Sequence, residues 1–225
     1  SGMWVDPKTT WGRDALAKTQ QALSETGIAL VDVEVAWLEK NNRATDTQKL
    51  IVDVGLALGA RNLLVVSRHE DYNASIEQFR DVCDRAGNDL RVCLEFGEFT
   101  QIKSLQAANA FIDAVDHPSA GILIDLMHIA RSKEPLPDLT LSRFPYLQAC
   151  DFLQSSTSMT GRDYIQAAVD DRYCLGEGEA DATRMSLVRH ANIDVSLEIR
   201  SRALREAFPD PIQRAQAIFS RCGRE

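Results

Sequence analysis

No stretch of this 225-residue chain approaches the roughly 20 consecutive apolar residues that a bilayer-spanning helix needs. Its first residues lack the apolar core of a secretory signal, so nothing predicts export. No two of the five cysteines form a CxxC pair; Cys83, Cys93, Cys150, Cys174 and Cys222 are odd in number and widely spaced. That pattern argues against a zinc knuckle or a disulfide framework and predicts reduced thiols in a cytoplasmic protein. No GxGxxG turn follows an early strand, which argues against a Rossmann nucleotide site. Basic residues are the minority: 25 Lys+Arg face 33 Asp+Glu, a formal charge of −8. A general binder of nucleic acid or of an anionic membrane would need clustered positive charge instead. No Gly-, Ser- or Pro-rich linker divides the chain, so residues 1–225 read as one domain.

What the sequence does contain is alternation. Helical periods are predicted over 13–26, 45–58, 73–86, 103–115 and 181–190. The last of them runs over 202–221, interrupted near Pro209 and Pro211. Between them stand β-rich runs at 28–35, 62–66, 90–96, 121–125, 146–152 and 195–199. Strands alternating with helices imply βα units, an α/β class and a parallel sheet. A closed TIM-type barrel suits this better than an open sheet, although six units are two short of the usual eight.

In such a barrel, reactive side chains project from the C-terminal ends of the strands. Four strands here end in polar residues that their apolar bodies do not require. They are Val92-Cys93-Leu94-Glu95-Phe96, Ile122-Leu123-Ile124-Asp125, the run from Tyr146 through Gln148 to Asp151, and Val195-Ser196-Leu197-Glu198-Ile199. Alternation puts Glu95 on the face of Cys93 and Glu198 on the face of Ser196. Any one of these carboxylates, taken alone, reads as half of a structural ion pair with Arg or Lys. Three together at matching strand ends read as oxygen ligands of a hard divalent metal.

The chain resembles the xylose-isomerase-like barrels, the group of sugar isomerases and epimerases that also holds inosose dehydratases and an endonuclease branch. The resemblance runs from about Thr26 to Pro209. It rests on Leu94-Glu95-Phe96, Ile124-Asp125-Leu126-Met127-His128, the Gln148-to-Asp151 segment, Leu175-Gly176-Glu177-Gly178-Glu179 and Leu197-Glu198-Ile199, in that order. It implies that Glu95, Asp125 and Glu198 are metal ligands, with the two glutamates doubling as catalytic acid/bases. The family's seventh-strand histidine falls on Gln148. As a neutral oxygen donor, Gln148 tilts the expected ion to Mg²⁺ or Mn²⁺ over Zn²⁺. His128 and Arg172 resemble the substrate-binding His and Arg of ketose 3-epimerases. The family's first two strands have no counterpart ahead of the helix at 13–26.

Weaker candidates are His69, just after the strand at 62–66, and Glu34, placed at the end of the run at 28–35; both are expected to touch substrate. His117 and His190 precede strands and belong to the opposite, stabilising face. Trp4 and Trp11 are expected as rim aromatics or a partner contact. These residues are chemically adequate for a metal-dependent sugar or polyol isomerase or epimerase, in which one Glu removes a proton beside a carbonyl and the other returns one to the enediolate. Dehydration of a keto-polyol is an alternative on the same site, and a non-catalytic sugar-binding barrel with a degraded metal site is another. Endonuclease chemistry is disfavoured by the charge and by having only His69 and His128 on the catalytic rim. The expected partner is a small sugar or polyol, with neither nucleic acid nor membrane; self-association is left open.

Overall fold

The computed structural model describes residues 13–40, 42–154 and 159–222. Trp4 and Trp11 lie outside the described residues. In chain order the elements are α1 (Arg13–Thr26), β1 (Asp32–Leu38), α2 (Asn42–Leu58), β2 (Asn62–Ser67), α3 (Tyr72–Ala86), β3 (Arg91–Glu95), α4 (Leu105–Val115), β4 (Ala120–Asp125), α5 (Leu126–Arg131), β5 (Tyr146–Ala149), α6 (Gly161–Asp170), α7 (Ala182–His190), β6 (Asp194–Leu197), α8 (Arg202–Ala207) and α9 (Pro211–Cys222). All five strand pairings are parallel and join consecutive strands. The α/β class and the parallel strands expected from the sequence are therefore present. No described helix is long and apolar enough to cross a membrane. All five cysteines are free thiols.

The chain forms two compact units. Among the described residues, the first holds 13–40, 42–96, 100–123 and 141–145; the second holds 97–99, 124–140, 146–154 and 159–222. In the first, every residue of β2 (Asn62-Leu63-Leu64-Val65-Val66-Ser67) is buried. A parallel strand covered on both faces reads as such a continuous apolar run. Against the strands α3 buries Ile76, Phe79, Val82 and Cys83, and α4 buries Ala108, Phe111 and Val115. Phe79 and Phe111 meet edge to face with ring centroids 5.5 Å apart. Both helices start where a side chain takes over an orphan backbone donor. Asp71 accepts from Ala74 N and Ser104 accepts from Ala107 N, each at 3.1 Å.

In the second unit the last two residues of β4 pair with β5, and β5 with β6. The register runs Asp125 to Gln148 to Ser196, one row across three strands. β5 is fully buried, whereas β6 is only partly covered and Leu197 is 39% exposed.

Two strand boundaries and two helices depart from expectation. The first strand begins at Asp32, four residues late. Gly27 ends α1 at φ +67°, and the next residues run exposed, with Ile28 62% accessible, before the ladder starts. Glu34 is therefore the third residue of β1 rather than its end, and it is exposed. Two helices were not anticipated. The short α5 buries Leu126, Met127, His128 and Ile129 in succession, so no amphipathic period marks it. The longer α6 buries only Ala167 and Ala168. Its readable signal is the capping pair Thr160 and Asp163, in which the Asp163 carboxylate accepts from Thr160 N at 2.7 Å. Finally, β5 stops at Ala149, because Asp151 leaves the ladder to bridge Tyr173 in antiparallel fashion.

Candidate active site in the second unit

Asp125 closes β4 and caps α5 at once. Its Oδ1 accepts from Met127 N at 2.7 Å and from His128 N at 3.0 Å. That grip fixes the carboxylate and aims Oδ2 elsewhere, 2.7 Å from Nη1 of Arg172. Arg172 follows α6, and its Nε donates to Ala168 O at 2.9 Å. Its Nη2 lies 2.8 Å from Oε2 of Glu198, the residue after β6. The same guanidinium approaches Cys150 Sγ at 3.3 Å and His128 Nε2 at 3.4 Å. Asp125 and Arg172 are each 1% exposed, and the Glu198 side chain 16%.

One guanidinium thus joins two carboxylates from two strands in a buried setting. Burial alone would push the Asp125 carboxyl up, but the Arg172 charge beside it holds it well below the usual carboxylate range. Burial works against the charge on Arg172, and Asp125 and Glu198 overcome it, raising the guanidinium further above its ordinary value. His128 behaves differently. Burial, opposed by Asp125 but helped by Arg172 and Arg131, pushes it down to about 4. It is a neutral imidazole at neutral pH. Because a guanidinium has no acceptor, a neutral His128 meets Arg172 through an unprotonated Nε2 and carries its proton on Nδ1. The Phe99 ring packs on the imidazole at 5.1 Å between centroids. Gly97 makes room, since a Cβ there would sit 3.0 Å from Phe99 and 3.3 Å from His128.

Gln148 is fully buried on β5, in the same register row as Asp125. Two turns of chain are pinned by Asp151, which accepts from Phe152 N at 2.8 Å, Gly176 N at 3.0 Å and Ala180 N at 2.9 Å. This clamp was not anticipated. Arg131, also not singled out by the sequence, is held near the Tyr164 ring, and burial lowers its pKa. Burial likewise pushes the Cys150 thiol up to about 12, so it stays protonated.

Of the residues named from the sequence, Asp125, His128, Arg172 and Glu198 are in direct contact, and Gln148 joins them by register. The ion-pair reading of single strand-end carboxylates holds for Asp125 and Glu198, with Arg172 as the shared partner. Arg172 was expected to face substrate; instead it lies between the carboxylates. Glu95, His69, Glu34 and His117 belong to the first unit. Glu95 is the buried last residue of β3. His69 is buried, and its Nδ1 accepts from Asp71 N at 3.1 Å, so that nitrogen serves the turn into α3. Glu34, displaced to mid-strand and exposed, has lost the strand-end place on which its substrate role was based. His117, with Nε2 3.4 Å from Asp84 and Nδ1 accepting from Ser119 N, does structural work. Two shallow hollows, of about 560 and 530 Å³, are lined by residues such as Leu23, Ile28 and Leu58 and by Thr183, Leu187 and His190. Neither includes a candidate residue.

A family model described as "Xylose isomerase-like TIM barrel" matches residues 3–221. The chain belongs to that family. Among solved structures, the xylose isomerase-like fold recurs in the IolI protein with a bound zinc atom, at TM-score 0.70 and 13% identity over 96% of this chain and 85% of that one. It recurs in AsbF of Bacillus anthracis, described as the probable 3-DHS dehydratase of petrobactin synthesis, at TM-score 0.70 and 13% identity over 95% and 85%. It is found again in D-psicose 3-epimerase of Clostridium cellulolyticum H10 with D-tagatose, at TM-score 0.65 and 15% identity over 95% and 84%. At these identities the likeness is one of fold. A search among curated proteins finds no significant match.

Proposed function

We propose that the chain is a sugar or polyol isomerase/epimerase that moves a proton beside a carbonyl. The observation that supports it is the convergence of Asp125 and Glu198 on a single positive charge, with neutral His128 alongside. Two carboxylate oxygens aimed at one cation form a donor set suited to a hard divalent ion, and the buried Gln148 adds a neutral oxygen donor to the same row. Asp125, Glu198 and Gln148 are the residues of this unit that would hold Mg²⁺ or Mn²⁺; when bound, the ion supplies Lewis-acid stabilisation of developing oxyanion charge. The zinc-bound IolI and sugar-bound epimerase structures support a divalent ion as the class of cofactor and a sugar as the class of substrate.

The chain's own groups divide the remaining work. Glu198 is partly accessible, so its carboxylate can take a proton from a carbon next to a carbonyl and return it. The family resemblance assigns the complementary acid/base role to Glu95. His128, neutral and fixed between Phe99 and Arg172, can hydrogen-bond a hydroxyl without adding charge. Asp125 keeps its place through the two backbone donors of α5 and does not need to move during a proton transfer.

The test is solvent exchange. The purified protein with saturating Mn²⁺ in D₂O is offered D-psicose, D-tagatose, L-ribulose and keto-inositols, and deuterium entry at the carbon beside the carbonyl is followed by NMR. Exchange with epimerised or isomerised product is expected, and Glu198→Gln should lower its rate by roughly 10²–10⁴. Loss of water from the substrate would instead indicate the dehydratase chemistry. Absence of exchange with every substrate, or unchanged turnover in Glu198→Gln, would overturn the proposal.

A further inference from the structure

The relation of Arg172 to the two carboxylates has a consequence for how a metal enters. Oδ2 of Asp125 and Oε2 of Glu198 both face Arg172, at 2.7 and 2.8 Å. The Oδ1 atom of Asp125 is committed to two backbone N–H groups. Arg172 and Asp125 are nearly inaccessible, so the guanidinium is built into the interior rather than folded down from the surface. Its Nε bond to Ala168 O fixes the plane of the guanidinium, so the rigid group leaves both carboxylates together, giving up that bond as well.

We infer that Arg172 is the resident cation of this site, and that a divalent ion binds only by displacing its guanidinium from Asp125 and Glu198. This rests on the reading of those two carboxylates as metal-holding residues. Without metal, the guanidinium offsets one of the two negative charges of what would otherwise be a costly buried cluster. With metal, the same guanidinium is released from both carboxylates, and it is available to an oxygen of the substrate. Metal loading and Arg172 orientation are then one equilibrium. The measured metal affinity is the intrinsic affinity reduced by the free energy of breaking the Arg172 bridge.

The test compares the wild-type chain with Arg172→Met and Arg172→Lys by calorimetric titration with Mn²⁺ alone, and by thermal unfolding in chelator and in Mn²⁺. Methionine keeps an unbranched apolar stem and removes the competing charge. Arg172→Met is expected to bind Mn²⁺ at least tenfold more tightly than wild type, to melt roughly 10 °C lower in chelator, and to regain most of that loss in saturating Mn²⁺. Lysine has a single ammonium that cannot span both carboxylates, so Arg172→Lys is expected between the two. It serves alone if the methionine variant does not fold. Equal Mn²⁺ affinity in wild type and the folded variants would overturn the exchange while leaving the carboxylates as a metal site. Failure of the wild type and of every folded variant to bind Mn²⁺ would overturn both the exchange and the metal-holding reading beneath it.

Discussion

The two units fill their interiors with different chemistry. In the first, β2 is buried along its whole length between helices that contribute Phe79, Phe111, Val82 and Val115. In the second, the buried set includes Arg172, Asp125, His128, Gln148 and Asp151. Apolar burial is non-directional and roughly additive in area, so the first unit can lose one contact and keep the rest. Buried charge is conditional. The two carboxylates of the Asp125–Arg172–Glu198 group are tolerable because Arg172 is between them, and removing the guanidinium leaves two uncompensated negative charges behind. The paired buried charge is therefore concentrated in the second unit, while the first buries Glu95 and His69 within a mainly apolar interior.

The largest expected effects set the two kinds of interior against each other. Phe79→Ala should cost about 3–5 kcal/mol through lost packing and the cavity left behind. Asp125→Ala should cost about 3–5 kcal/mol by breaking its buried ion pair with Arg172. Loss of the α5 cap adds about 0.5–2 kcal/mol to that. At neutral pH the two variants look alike, and acid separates them. The Asp125 carboxyl is depressed in the folded state. It therefore contributes stability that is full above the unfolded value of about 3.9 and is lost as pH falls toward the folded one. Denaturant unfolding in chelator at pH 7 and near pH 3 should show a constant penalty for Phe79→Ala and a shrinking one for Asp125→Ala. Penalties that move together would break the distinction between the units.

How far this contrast could be read in the sequence differs by unit. The β-branched runs and the amphipathic periods of α3 and α4 are local signals, and they located those elements to within a residue or two. The first strand was misplaced because Ile28 and its neighbours are β-prone yet lie outside the ladder, and a register irregularity between Val33 and Ala36 hides the true pairing. The strand-end positions of Asp125, Gln148 and Glu198 were legible, since polar residues at the ends of apolar strands stand out. The place of Arg172 was not. Its chemistry depends on a long side chain reaching Asp125, 47 residues away in the chain, and no periodicity encodes such a contact. The clamp made by Asp151 is hidden in the same way, because its partners are backbone amides whose position only the folded loop defines.

A second, smaller effect concerns His128. Its folded pKa of about 4 lies below the unfolded value of about 6.5, so between those values the unfolded chain binds the proton more readily. Stability is then full above pH 6.5 and declines as pH falls toward 4, by about 3 kcal/mol if burial accounts for the whole shift. His128→Asn removes the titration. In chelator, the slope of unfolding free energy between pH 6.5 and 4 should flatten in this variant. A wild-type slope that survives the substitution would show that the polar interior is not what makes the second unit sensitive to mild acid.

The smallest effect tests the clamp rather than the charges. A Cβ on Gly178 would fall 2.7 Å from Asp151 Cγ and 2.7 Å from Phe152 N, and nearer still to Oδ1. Neither neighbour can give way easily. One is backbone, and the other is a carboxylate held by three N–H donors. Gly178→Ala should therefore cost about 1–3 kcal/mol, the usual range for overpacking a fixed site. Gly161→Ala, in the same unit at the start of α6, meets nothing within 4 Å and should change stability by no more than about 0.5 kcal/mol. The mechanism can be isolated with Asp151→Ala as background. Once the carboxylate is gone, much of the space for the new methyl is free, and the cost of Gly178→Ala should fall. Residues in contact show such non-additivity, whereas independent ones do not. A penalty for Gly178→Ala that is the same with and without the Asp151 side chain would mean that the glycine serves the loop's own backbone. The tight approach of Gly178 to Asp151 would then be a consequence of the loop's shape rather than its cause.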